Sequence, residues 1–127
     1  MTAAIALGRG DNDATGPYAL VGFAHALPEK STELAALLLS FVAPTRAEEG
    51  CLEYHFHADK DTPNLFVFYE VWRSLQDLQA HVALPHMQAF LETRMTYLSR
   101  DVQIHWLAMH SSYPQAFKPS VASDTNR

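Results

Sequence analysis

Glu70, Trp72, His81 and His86 stand within 17 positions of one another and bring a carboxylate, an indole and two imidazoles to one stretch of chain. Such a set can hold a small aromatic molecule and take a proton from it. It contains no nucleophile, phosphate-cradling loop or recognisable metal box, so the sequence points to a site more firmly than to a reaction. By strand alternation Glu70 shares a face with Phe66, Phe68 and Trp72, and a carboxyl among large aromatics has its pKa raised by desolvation unless it finds a partner. That makes Glu70 a candidate general base; equally, it can be a structural carboxylate satisfied by a backbone amide, a tyrosine or a histidine. Trp72 offers a flat wall with one N–H donor, suited either to stacking on a phenolic ring or to core packing.

His81 lies in a helix opened by Ser74, and an imidazole titrates close enough to working pH to accept a phenolic proton. Its other reading is a hydrogen bond between elements. His86 follows a proline break five residues on; i, i+5 spacing does not present a chelating pair, and its place in a first helical turn suits service to the helix end. His55 and His57 alternate with Tyr54 and Phe56 and so share one strand face, a geometry able to ligate a metal, but no third ligand follows at characteristic spacing. Strict alternation puts Cys51 on that same face. Tyr54 and Tyr69 can donate to a substrate oxygen or simply pack, and His25 on the first strand is open to the same two readings.

The elements that position these groups follow from periodicity. Tyr18 to Leu27 reads as a strand apolar on both faces, ended by Pro28. From Glu29 to about Glu48, Leu34, Leu37, Leu38, Phe41, Val42 and Thr45 keep helical spacing, with Glu33 and Ser40 outward and a kink or early end at Pro44. Gly50 stops that segment, Cys51 to His57 alternates as a second strand, 58–64 forms a hairpin loop, and Leu65 to Trp72 is a third strand. Ser74 with Asp77 forms a capping box whose helix buries Leu75, Leu78 and Val82. Pro85 starts another helical segment to about Leu98, with Met87, Phe90, Leu91 and Met95 or Leu98 inward, and Val102 to Met109 is the last strand. The order βαββαβ predicts an α+β, ferredoxin-like, four-stranded antiparallel sheet with helices on one face. Strands one and three are apolar on both faces, so the uncovered side predicts a homodimer through that face.

The chain of 127 residues suffices for one domain, predicted over 17–110, with tails at 1–16 and 111–127 that lack core formers. A net charge of −5 without a basic run argues against nucleic acid, and no apolar stretch approaches a membrane span. A single cysteine forms no internal disulfide, and the N-terminal order of apolar and basic residues is not that of a signal peptide; a cytoplasmic setting is the expectation.

GCLEYHFH, NLFVFYEVW and LQAHVALPHMQAF, with the helix before them, resemble the antibiotic biosynthesis monooxygenase domain, over about residues 17–110. The most specific pieces are Glu70-x-Trp72, His81 and Pro-His86-x-x-x-Phe90. The resemblance implies a dimeric α/β barrel with a pocket between sheet and helices, and a cofactor-independent oxygenase using dioxygen on a small electron-rich aromatic, a quinol or polyphenol. On that reading His81 or Glu70 removes the proton, and Trp72, Phe68, His86, Tyr54 and Phe90 line the substrate, with no metal or cofactor. Pro44 and Leu84, where a small capping residue is usual, depart from the family pattern and put the pocket's shape in doubt. The alternatives are a non-catalytic dimeric module, stress-related or binding a small apolar ligand, and an isomerase of a small carbonyl metabolite. Haem degradation ranks below these, because 18–27 lacks the amide side chain that branch expects.

Overall fold

The computed structural model describes residues 17–114. Its elements run β1 (Tyr18–His25), α1 (Ser31–Ser40), α2 (Val42–Arg46), β2 (Cys51–Ala58), β3 (Leu65–Trp72), α3 (Leu75–Val82), α4 (Pro85–Thr93) and β4 (Gln103–Leu107), with short 3-10 turns at Pro28–Lys30 and Arg94–Thr96. The strands form one four-stranded sheet in the order β2-β3-β1-β4, every neighbouring pair antiparallel. All helices lie on one face of it, the ferredoxin-like arrangement expected. No helix among the described residues is long and apolar enough to cross a membrane. The predicted tail at 1–16 and the part of the C-terminal one beyond Pro114 lie outside the described residues.

Two apolar clusters fill the space between sheet and helices. In one, Ala24, Ala26 and Phe66 of the sheet meet Leu34, Leu38 and Phe41 of the first helical segment and Phe90, Leu91 and Leu98 of the last. Leu34 and Leu38 are fully covered, and truncating either to alanine costs about 2–5 kcal/mol. In the other, Leu20, Tyr54, Trp72 and Leu78 gather Val42, Cys51, Ile104 and Trp106 around them. Val82 touches both.

The first helix breaks before the predicted position. α1 ends at Ser40 and α2 resumes at Val42, a turn ahead of Pro44. The physical reason is that a proline acts backwards: Pro44 lacks the N–H that Ser40's carbonyl would accept and crowds that carbonyl. Phe41 N–H instead bonds to the Leu38 carbonyl at 3.1 Å in a tightened turn. The last helix also stops early, at Thr93, leaving Met95 half-exposed while Leu98 is buried, and β4 covers 103–107 where 102–109 was expected.

Ser74 caps α3 as its spacing predicts. Its Oγ accepts the Asp77 N–H at 3.1 Å, and its hydroxyl donates to Asp77 Oδ2 at 2.7 Å. Arg73 adds a two-pronged grip on the same carboxylate, both contacts 2.9 Å, which holds Asp77 ionised below its ordinary pKa.

One strand departs from strict alternation. A β-bulge between Cys51 and Glu53 sets Cys51 opposite Trp72 while Glu53 stands opposite Val71. Cys51 therefore packs into the inner cluster, and the expectation that it shares the outer face with His55 and His57 is corrected.

Candidate functional site

The antiparallel register lines up the site's floor. Tyr54, Glu70, Leu20 and Trp106 form one cross-strand row on the helix-facing side, and Phe56, Phe68, Gly22 and Ile104 form the next. A Cβ at Gly22 would sit 3.4 Å from Phe68 Cδ2 and 3.8 Å from Ile104 Cγ1, so the two side chains close on the glycine to ordinary contact distance. Phe68, Ile104 and Trp106 are only partly buried and line this floor.

Glu70 projects from β3 into this apolar ground. Among the described residues it accepts one hydrogen bond, from Trp72 Nε1–H to Oε1, at 2.9 Å between the heavy atoms. Burial pushes its pKa up to about 7; the indole bond pulls it back and the charge of Glu48 pushes it further up. Trp72 is wholly enclosed, with 0% of its surface exposed. In this state its ring is covered by protein and presents no face to a ligand. What covers it includes the His81 imidazole, with ring centroids 4.6 Å apart.

His81 lies on the buried side of α3, one turn after Asp77, and its Nδ1 is 2.9 Å from Glu48 Oε2. Burial holds its pKa below the ordinary histidine value; Glu48 opposes that and His86 reinforces it. Tyr54 packs 5.9 Å from the same imidazole, and burial keeps its phenol protonated well above the usual range. The Thr45 hydroxyl stands beside that phenol without a well-formed hydrogen bond.

His86 sits in the first turn of α4, tilted against Phe41 at 5.2 Å, and Phe41 in turn meets Phe90 edge-on at 5.9 Å. Leu84 supplies no side-chain cap to that helix, and among the described residues His86 Nε2 is buried without a hydrogen-bond partner. An imidazole nitrogen enclosed among aromatics and unsatisfied is a polar group available to something that enters from outside the chain.

The candidate residues thus fall into one connected neighbourhood: Glu70 to Trp72, Trp72 to His81, His81 to Tyr54, with Phe68 beside Glu70 on the floor and His86, Phe41 and Phe90 on the roof. His55 and His57 are on the opposite face. His55 Nε2 lies 3.0 Å from Glu53, its Nδ1 lies 3.3 Å from Arg46, and its ring stacks on Tyr69. Arg46 can only donate, so Nδ1 is the acceptor and Nε2–H donates to Glu53. The His57 ring is 6.4 Å from His55 with Nδ1 near the Val67 carbonyl. Among the described residues no group of three His, Cys, Asp or Glu side chains could hold a metal ion. Tyr113, in the expected C-terminal tail, donates to Glu53 Oε2 at 2.9 Å.

Sequence reasoning missed Glu48. It is an ordinary acidic residue in a turn, 33 positions before the histidine it contacts, and its only sequence signal is the Gly50 that bends the chain back.

The sequence profile of the antibiotic biosynthesis monooxygenase family matches residues 17–93. The chain is 34% identical over 88 residues to the uncharacterised protein sll1783 of Synechocystis sp., a match covering 69% of this chain and 60% of that relative, less than two thirds of its length. It is 33% identical over 94 residues to Rv0793 of Mycobacterium tuberculosis, a protein provisionally named a monooxygenase, covering 74% of this chain and 92% of the other. In three dimensions it resembles PA3566 from Pseudomonas aeruginosa, with a TM-score of 0.71 and 31% identity over 82% of this chain and all, 100%, of that one. The structure of Rv0793 superposes with a TM-score of 0.73 and 29% identity, covering 78% of this chain and 100% of the other.

Proposed function

This chain belongs to the antibiotic biosynthesis monooxygenase family, and on that footing we propose that it is a cofactor-independent monooxygenase that oxidises a small electron-rich aromatic, a quinol or anthrone-like phenol, with dioxygen. The observation that carries the reading is an inverted pair of titrating groups in contact with one indole. Burial raises Glu70 to about 7 and lowers His81 below its ordinary value, so near neutral pH a proton shared by the pair resides on the carboxyl and the imidazole is free. Environments that push two groups apart in this way assign the base and the acid.

The neutral imidazole of His81 takes the acidic proton of the substrate. The resulting anion passes one electron to dioxygen, giving an organic radical and superoxide, which combine at carbon to a peroxide anion; this takes back the proton held by His81 and becomes a hydroperoxide. Loss of water from that hydroperoxide leaves a new carbonyl: one oxygen atom stays in the product, the other departs as water, and the substrate has lost two electrons beyond the oxygen it gains. Glu70 in its protonated form donates a hydrogen bond to the developing peroxide. Phe68 stacks on the ring, Phe90 and the His86 nitrogen close over it, and Tyr54 and Trp72 hold His81 and Glu70 in place. The apolar surroundings exclude water from the radical pair.

The outer face of the sheet supports a twofold dimer, with Val21, Phe23, Val67 and Tyr69 half-buried there and no helix of the described residues over them. A non-catalytic binding module has one observation in its favour, the complete enclosure of Trp72 and His81, and would keep its ligand after either group is changed.

The test is oxygen uptake by metal-stripped protein over a panel of hydroquinones and anthrone-like phenols. Uptake above the uncatalysed rate is expected, abolished in His81→Ala, with Glu70→Gln slowed and without a falling limb near pH 7. Uptake unchanged in His81→Ala removes the proposed base, and no uptake with any substrate moves the reading to the binding module.

A further inference from the structure

Two side chains from distant parts of the sequence hang from one rigid junction. After α2 the chain turns through Glu48, Glu49 and Gly50 into β2, and the turn is closed by Glu48 N–H to Thr45 O at 3.0 Å and Cys51 N–H to Glu48 O at 3.1 Å. Gly50 is pressed so closely on α3 that a Cβ there would overlap the Cβ, Cγ and Oδ1 of Asp77. Arg73 locks the approach: its backbone N–H donates to Gly50 O at 2.8 Å, its guanidinium grips Asp77, and Nη1 lies 3.5 Å from Glu49. His81 projects from the same helix one turn beyond Asp77. The distance between Glu48 and His81 is therefore set by packing and by backbone hydrogen bonds at both ends.

We infer that Glu48 is the positioning residue for His81, fixing which ring nitrogen carries the proton and holding the imidazole against Trp72 with its other nitrogen free. A carboxylate only accepts, so the 2.9 Å contact places a hydrogen on Nδ1 and leaves the lone pair on Nε2. His81 is 2% exposed, so water cannot do the same service. This inference rests on the reading that His81 takes the substrate proton, and it adds the group that keeps the ring in the form able to do so.

The groups that face His81 are Glu48 from the turn, His86 from α4, Tyr54 and Trp72 from the sheet, and Glu70 through the Trp72 indole. Of these, Glu48 alone favours the protonated ring in direct contact, against burial and His86. The same carboxylate also raises Glu70, a smaller effect there than burial, so one charge acts upward on both groups. Removing that charge lowers both.

The experiment needs no substrate for its first arm. Long-range proton–nitrogen spectra of the full chain, with His81→Ala used to assign the resonance, report the tautomer and the titration of His81 in the wild type, Glu48→Gln and Glu48→Ala. The wild type is expected to show the Nδ1–H form. Glu48→Gln, nearly isosteric, keeps that form through its amide oxygen but titrates at lower pH; Glu48→Ala loses the preference. In oxygen uptake, kcat falls on the order of 100-fold in Glu48→Ala, with KM nearly unchanged, and Glu48→Gln recovers part of it with the acid limb displaced downwards. An Nε2–H wild type, or a titration identical in Glu48→Gln, overturns the inference. The correct tautomer without oxygen uptake overturns the oxygenase reading and leaves the positioning intact.

Discussion

Replacing Glu70 by glutamine preserves an acceptor for the Trp72 N–H and removes only the ability to ionise, which makes it a direct probe of how this carboxyl is held. In the folded chain its pKa is pushed up to about 7 from an ordinary 4.5, chiefly by burial. The folded state therefore binds the proton more tightly than the unfolded state does. The stability this confers is complete below pH 4.5 and is lost as pH rises through 7, on the order of 3 kcal/mol in all. Glutamine does not titrate, so the variant escapes the loss. Denaturant unfolding of both proteins at pH 5 and pH 8 is expected to show the variant gaining on the wild type by about 2–3 kcal/mol between the two pH values. Groups that titrate alike in both proteins cancel in this comparison. A difference independent of pH would mean that Glu70 ionises as an ordinary carboxylate in the fold, and the acid–base assignment would fall with it.

Gly50→Ala places a methyl group against an Asp77 side chain that Arg73 and Ser74 hold fixed, so a loss of about 1–3 kcal/mol is expected in thermal or denaturant unfolding. Stability equal to the wild type would show the junction to be pliable. Phe23→Glu puts a charge at a half-buried position on the outer sheet face, edge-on to His105 at 5.8 Å. It is expected to convert a dimer to a monomer in light scattering with its circular dichroism unchanged, and a dimer that survives would place the contact on another surface.

Much of the architecture was legible because it rests on periodicity. The alternation around Leu65 to Trp72 and the stripe of Leu34, Leu38 and Phe41 follow from burial alone, and burial is what these residue types record. The cap at Ser74 was legible for a similar reason, since its bonds are local. What escaped was non-local or depended on counting. The bulge at Cys51 leaves no compositional mark, yet one extra residue moves a side chain to the other face. Pro44 announced a break but its effect falls four residues earlier, on the Ser40 carbonyl. Glu70, Trp72 and His81 were visible as unusual residues within one segment, whereas Glu48 becomes meaningful only when a turn and a helix meet.

The bulge has a bearing on how readily the chain's one thiol is oxidised. By turning Cys51 inward it buries the thiol partly and sets it near Glu48 and Glu70, and burial with those charges pushes its pKa up to about 11. At neutral pH roughly one molecule in ten thousand then carries the thiolate, the form that peroxides attack. With regular alternation the sulfur would stand on the outer face in line with His55 and His57; where it does stand, Arg46 opposes the rise without cancelling it. A single extra residue in an edge strand thus leaves the thiol of Cys51 partly buried and protonated, the form less open to oxidation.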